Sequence, residues 1–233
     1  MVAVRNAVVL VTGGQRGLGA ALVEEVLRRG AKKVYVTARE PKPDSRGSVV
    51  TQALEVRSSQ AISDLAQIAT DVNIVINNAG ALVPESLLTG NFDGVAEMFD
   101  VNVYGPLRIA KAFAPILAAN GGGAIVNMHS VLSWLSGGGA YGASKAAMWS
   151  LSNSLRDELA SQHTQVLGVH AAFLDTDMTA GLKVPKTSPA VAAARIVDAL
   201  EAGAAEVLVD DASVAAKAAL SGPVENLSVR LPV

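Results

Sequence analysis

The stretch Val8-Val-Leu-Val-Thr-Gly-Gly-Gln-Arg-Gly-Leu-Gly19 constrains this chain more than any other. Four apolar residues, Val8 to Val11, predict a buried strand, and the glycines after them predict a turn tight enough to enter a helix directly. The helix runs on through Ala20 to Arg29, apolar on one face and charged on the other, and Gly30 supplies its C-terminal stop. Such a unit lets backbone N–H groups approach a pyrophosphate at the positive end of a helix dipole. The spacing of Gly13, Gly17 and Gly19 departs from G-x-G-x-x-G, so the context along the rest of the chain decides the reading.

That context is a regular alternation. Further strands are predicted over Lys33–Ala38, Val49–Val56, Asn73–Asn77, Ala124–Met128, Val166–Ala172 and Glu206–Val209. Helices are predicted over Ala61–Ala69, Asn91–Val103, Tyr104–Ala119, Tyr141–Ser161 and Pro189–Ala202; Pro106 suits an opening turn and Pro115 a kink. Strand–helix alternation at this spacing implies right-handed β-α-β units. The expected fold class is α/β, a doubly wound parallel β-sheet flanked by helices on both faces in a three-layer sandwich. No repeat or linker divides the chain, so residues 1–233 are expected to form one domain, with a substrate loop at about 177–190. Beyond residue 209 the tail carries no firm pattern.

Composition removes several function classes. The net charge of −2 and scattered basic residues give no nucleic-acid face. There is no cysteine, hence no disulfide or thiolate metal site, and His129, His163 and His170 share no metal-ligand spacing, so no metal is expected and each reads as structural or exposed. No signal peptide and no run of about 18 apolar residues is present, so the expectation is a cytoplasmic protein without a membrane partner. Asn226-Leu-Ser228 matches a glycosylation acceptor and reads as chance in that context.

Arg39 follows the second strand, whose end faces the adenosine ribose in a dinucleotide fold. No acid occupies positions 37–39, where one would bind both ribose hydroxyls and repel a 2′-phosphate. Arg39 and Arg16 together could grip that phosphate, which favours NADP(H) over NAD(H).

Tyr141-Gly-Ala-Ser-Lys145 sets a phenol and an ammonium one helical turn apart, on one face. A nearby cation favours the phenolate, so Lys145 is expected to lower the Tyr141 pKa towards working pH. A tyrosine so tuned gives a proton to a carbonyl oxygen or takes one from an alcohol.

With Thr12-Gly-Gly-Gln-Arg-Gly-Leu-Gly19, Asn77-Asn-Ala-Gly80, Asn102 in Val-Asn-Val-Tyr-Gly105, Ser130 after Ile-Val-Asn-Met-His129 and Tyr141…Lys145 in this order, the sequence resembles the short-chain dehydrogenase/reductase family over roughly residues 6–210. The resemblance implies a Rossmann-type fold and an NADPH-dependent oxidoreductase, a carbonyl reductase or alcohol dehydrogenase. It makes Tyr141 the acid/base and Ser130 the hydrogen-bond partner of the substrate oxygen. Lys145 becomes the holder of the nicotinamide ribose, and Asn102 the helix asparagine that positions a water in a proton relay. The cofactor groove would be lined by Gly13, Gln15, Arg16, Gly17, Leu18, Gly19, Arg39, Glu55, Val56, Asn78, Ala79, Gly80, Tyr141 and Lys145, with Thr176 at the carboxamide. The partner is then a small carbonyl or alcohol. Tyr104–Ala119 and Tyr141–Ser161 are the helices that pair between subunits in this family, so a homodimer or homotetramer is expected, unless both simply flank the sheet. A non-redox member catalysing isomerisation or dehydration, and an NADP(H)-binding sensor without turnover, are the alternative readings.

The chain departs from the family pattern twice. Only ten residues separate Ser130 from Tyr141, and Gly137-Gly-Gly139 either lets that short loop bring the two hydroxyls together or leaves it mobile; Ser133 is the alternative serine. Ala171-Ala172 stands where the family usually has Pro-Gly. Leu82, Val83, Leu132, Trp134, Leu135, Met178 and Leu182 suggest an apolar substrate pocket, Trp134 being equally suited to packing.

Overall fold

The computed structural model describes residues 2–83 and 86–229. Seven parallel strands form one sheet: β1 (Val8–Thr12), β2 (Lys33–Ala38), β3 (Val49–Ala53), β4 (Ile74–Asn77), β5 (Gly123–Met128), β6 (Thr164–His170) and β7 (Glu206–Leu208), in the spatial order β3-β2-β1-β4-β5-β6-β7. The chain works outward from β1 to β3, then crosses back to lay β4 on the other side of β1. Strand order reverses at that point, and in open α/β sheets the binding crevice lies there, beyond the carboxyl ends of β1 and β4.

Seven helices cover the sheet: α1 (Gly17–Arg28), α2 (Ser59–Ile68), α3 (Phe92–Phe99), α4 (Gly105–Ala119), α5 (Gly139–Leu159), α6 (Pro189–Glu201) and α7 (Asp211–Ala219). Alternation along β1 divides the core in two. Val9 and Val11 pack with Leu22 and Val26 of α1 and Ile196 and Leu200 of α6. Val8 and Leu10 face the other way, onto Ile62 and Leu65 of α2, Phe113 and Leu117 of α4 and Met148 and Leu155 of α5. Each such fully buried side chain contributes roughly 1.5–3 kcal/mol relative to its exposed state. Arg29 ties α1 to α6 through Asp198 at 2.6 Å and Glu201 at 2.8 Å.

Four expectations change. The third strand stops at Ala53 rather than Val56, because Glu55 and Ser58 form a turn, Ser58 N–H donating to the Glu55 carbonyl at 2.9 Å. The sixth strand begins two residues early and ends at His170. Between α3 and α4 the chain does not break: Asp100–Tyr104 form a wider π-helical turn that leads straight into α4, with Pro106 in its opening turn and Pro115 inside it. The tail forms α7, capped by Asp210, whose side chain accepts from Ser213 N–H at 2.8 Å.

Candidate active site

The glycine turn lies where β1 hands over to α1. Gly13 and Gly17 hold positive φ angles of 62° and 52°. A Cβ on Gly19 would stand 2.2 Å from the Gly13 carbonyl oxygen, so the turn and the helix touch backbone to backbone. Thr12 joins this turn to the neighbouring strand end: its hydroxyl accepts the N–H groups of Asn78 and Ala79, both at 3.0 Å. Asn78 returns the connection, its amide donating to the carbonyls of Thr12 at 2.9 Å and Gly13 at 3.1 Å. The turn therefore leaves backbone, and no side chain, at the helix N-terminus, the arrangement that suits a dinucleotide pyrophosphate.

Gln15 clamps the loop after β2, donating to the Lys42 carbonyl at 2.6 Å and accepting from the Lys42 N–H at 2.9 Å. Exposed Arg16, Arg39 and Lys42 thus belong to one rim of the crevice. Lys42 escaped the sequence reading because it sits in a proline-flanked loop, and only the Gln15 clamp brings it near. Arg16 reaches Asp177 at 3.8 Å, both side chains largely in solvent, which makes a weak link across the crevice. Thr176 packs under the turn, its Cγ2 3.3 Å from where a Gly17 Cβ would stand. Glu55 is bound to Arg57 at 3.0 Å, and Val56 is buried against Gly105. Leu18 packs on the core rather than into the crevice.

Asn102 sits in the π-helical turn and is buried. Its Oδ1 accepts the Ala81 N–H at 2.8 Å; its Nδ2 donates to the Ala81 carbonyl at 2.9 Å and to Ser144 Oγ at 3.0 Å. The same Oδ1 and the Lys145 ammonium flank Gly80, 3.3 and 3.9 Å from a Cβ built there. Single π-turns inside helices frequently mark functional positions.

Ser130 caps the 3₁₀ turn Val131–Ser133, and its Oγ accepts the Leu132 N–H at 3.1 Å. Its hydroxyl also acts on the Tyr141 phenol, favouring the ionised form. Ser133, the alternative serine, is spent on the Ser130 N–H at 3.3 Å. The ten-residue loop closes because glycines let α5 start against Leu132, which lies 3.1 Å from a Gly138 Cβ and whose carbonyl lies 3.0 Å from a Gly142 Cβ. Ser136 pairs with the chain's late segment, donating to the Leu227 carbonyl at 2.8 Å and accepting from Val229 N–H at 3.3 Å. Among the described residues the loop is thus a pinned turn. Trp134 is buried with Val131 and Ala216, so it packs and does not line an open pocket; Leu132 and Leu135 share that small core. Leu82, Met178 and Leu182 are exposed.

Electrostatics corrects one expectation. Lys145 gives its hydrogen bond to the Met128 carbonyl at 2.8 Å and stands 5.6 Å from the Tyr141 ring centre. Burial pushes the Tyr141 phenol up to about 12, opposed by the nearby Ser130 hydroxyl, so the phenol is protonated at working pH. Burial also brings Lys145 down to about 8. Where the family pattern has Pro-Gly, Ala172 N–H donates to Asp210 at 2.8 Å, which anchors the end of β6 by another route.

Comparison with known proteins agrees with this geometry. Residues 7–186 match the model of the short chain dehydrogenase family. An uncharacterised oxidoreductase of Staphylococcus epidermidis is 30% identical over 78% of this chain and 84% of its own. A tropinone reductase homologue of Arabidopsis thaliana is 32% identical over 73% of this chain and 69% of its own. The crystal structure of a Burkholderia cenocepacia short chain dehydrogenase in complex with NADP superposes with a TM-score of 0.92 at 32% identity, covering 97% of both chains. The chain is an oxidoreductase of the short-chain dehydrogenase family.

Proposed function

We propose that this protein reduces a carbonyl compound with NADPH, or oxidises the corresponding alcohol with NADP. The observation that carries the reading is the convergence of Tyr141 and Ser130 with Lys145, whose ammonium lies 5.6 Å from the Tyr141 ring centre and flanks Gly80 together with Asn102. The glycine turn fits a dinucleotide: Gly13 and Gly19 keep a backbone-lined cradle that any Cβ would fill. Arg16, Arg39 and Lys42 would hold a 2′-phosphate, and the neighbour solved with NADP supports that choice over NAD. When bound, the nicotinamide supplies or accepts the hydride.

This chain's own residues handle the proton. The neutral Tyr141 phenol donates to the carbonyl oxygen as that oxygen gains charge, and Ser130 steadies it by a second hydrogen bond. Lys145 supplies positive charge beside the phenol at neutral pH, favouring the tyrosinate left after transfer. Asn102 fixes the Ala81 backbone and the Tyr141 turn through Ser144. Exposed Leu82, Met178 and Leu182 favour a hydrophobic ketone or aldehyde.

The test is titration of the purified protein with NADPH and NADH, then absorbance decay against a panel of aliphatic and aryl carbonyl compounds. Multiple turnover with NADPH preference is the expected result. Tight binding without turnover on any carbonyl would replace this reading with a sensor or a non-redox catalyst.

A further inference from the structure

Behind Ser130, on the side away from Tyr141, lies a buried polar cluster that the proposed chemistry does not use. His170 ends β6, and its Nδ1 lies 3.3 Å from the Ser130 carbonyl. Its Nε2 lies 3.2 Å from His129 Nδ1 and 3.3 Å from Glu206 Oε1 of β7. Trp134 stacks on the ring at 3.9 Å between centroids and 18° between planes. Glu206 is held by Trp149 Nε1 and Lys217 Nζ, both at 2.7 Å, and the Lys217 ammonium also faces the Trp134 and Trp149 rings. His129 completes the set, its Nε2 2.8 Å from Ser152 Oγ on α5, the helix that carries Tyr141 and Lys145.

We infer that His170 is a positioning residue, which fixes the Ser130 carbonyl and so aims the Ser130 hydroxyl at Tyr141. The inference rests on the proposed roles of Ser130 and Tyr141. A carbonyl only accepts, so the contact with Ser130 is a hydrogen bond when the proton of the neutral ring sits on His170 Nδ1, which is the tautomer we assign. The next N–H along, that of Val131, donates to Ala171, so both sides of the Ser130–Val131 peptide are tied to the end of β6. Trp134 sits in the turn that Ser130 caps, and its stacking clamps that turn to the same ring.

The network accommodates His170 in two protonation states. With a neutral ring, His129 Nδ1–H donates to His170 Nε2 and His129 Nε2 accepts the Ser152 O–H. With a second proton, His170 Nε2–H faces Glu206, His129 donates to Ser152, and the Ser152 hydroxyl turns to the Met148 carbonyl at 2.9 Å. The groups that set this balance are Glu206 from β7, Lys217 from α7 and His129 from the end of β5, with Lys145 and Arg156 of α5 acting on His129. Burial holds both imidazoles below the ordinary histidine range, so His170 is neutral at working pH.

The chain has two tryptophans and three histidines, and both tryptophans are in this cluster, so intrinsic fluorescence and histidine ¹⁵N spectra report on it without cofactor. The wild type is expected to show His170 as the Nδ1–H tautomer at about pH 8, and a fluorescence change on acidification that His170→Phe abolishes. His170→Phe should lower kcat about tenfold on the carbonyl compound the wild type reduces fastest, with the NADPH dissociation constant unchanged. His170→Asn, which can donate from the same position, should recover at least half of that loss. An Nε2–H tautomer in the wild type, or wild-type kcat in His170→Phe, overturns the inference. Should His170→Phe not fold, Glu206→Gln decides: the fluorescence midpoint is expected at lower pH, and an unmoved midpoint overturns it. A wild type that turns over no carbonyl compound defeats the proposed function, while the tautomer and the midpoint still decide this one.

Discussion

Gly19 and Gly13 approach so closely that a single methyl group on the first would lie 2.2 Å from the carbonyl oxygen of the second. Neither partner is a flexible side chain, so the backbone itself would have to move. Gly19→Ala is therefore expected to cost about 1–3 kcal/mol in a urea midpoint and to abolish NADPH binding by fluorescence titration. Gly47→Ala, where nothing lies within 4 Å, should change neither measurement.

Tyr141 carries the proton the reaction needs, while its neighbour Ser130 is held by the Leu132 N–H. Tyr141→Phe should lower kcat by a factor of at least about 10² and leave the NADPH dissociation constant within error. Undiminished turnover in that variant would sink the mechanism.

Lys145 carries a stability consequence with a definite sign. Its pKa falls from the ordinary 10.5 to about 8 on folding, so between those values the unfolded chain holds more protons than the native one. Stability contributed by this group rises with pH across that window, and below about pH 8 the buried charge is a full penalty. Lys145→Met should stabilise the protein by roughly 2–3 kcal/mol at neutral pH while removing turnover. The gain should vanish by the upper end of the window, as followed by denaturant midpoints across pH.

Arg39 is exposed directly after β2, at the start of the loop that Gln15 holds. Arg39→Asp should weaken NADPH binding about tenfold or more and leave NADH binding unchanged or improved. Equal weakening of both cofactors would assign the rim a structural role.

Much of this layout was legible in the residues, and the failures have physical causes. The inner strands announce themselves because parallel strands buried on both faces read as apolar runs, such as Val8–Val11 and Ile74–Ile76. The π-turn at Asp100–Tyr104 could not be seen, since five residues do not resolve its wider period from that of an α-helix. The Gly137–Gly139 question needed the partner of Ser136, which lies about ninety residues on in the chain. His129 and His170 look isolated in sequence, yet Met128 stands opposite Val169 in the β5–β6 register, so the residue after each is brought to its neighbour. Register between parallel strands joined by a long helical crossover is a property of the folded sheet, and the histidine cluster appears only with it. The fate of Lys145 was legible in position and not in effect, because burial sets the Tyr141 shift and the Lys145 ammonium is turned to the Met128 carbonyl.

The pairing of Ser136 with Leu227 and Val229 also sets an order on how the site comes into being. As the chain leaves the ribosome, the first five strands and the glycine turn are available once residue 128 is out. The turn between Ser130 and Tyr141 must wait for residue 229 before its edge is covered. Cofactor cradle and substrate wall thus mature at different moments of synthesis, and a protease that trims the segment after Gly222 would return the second to its nascent condition while sparing the first.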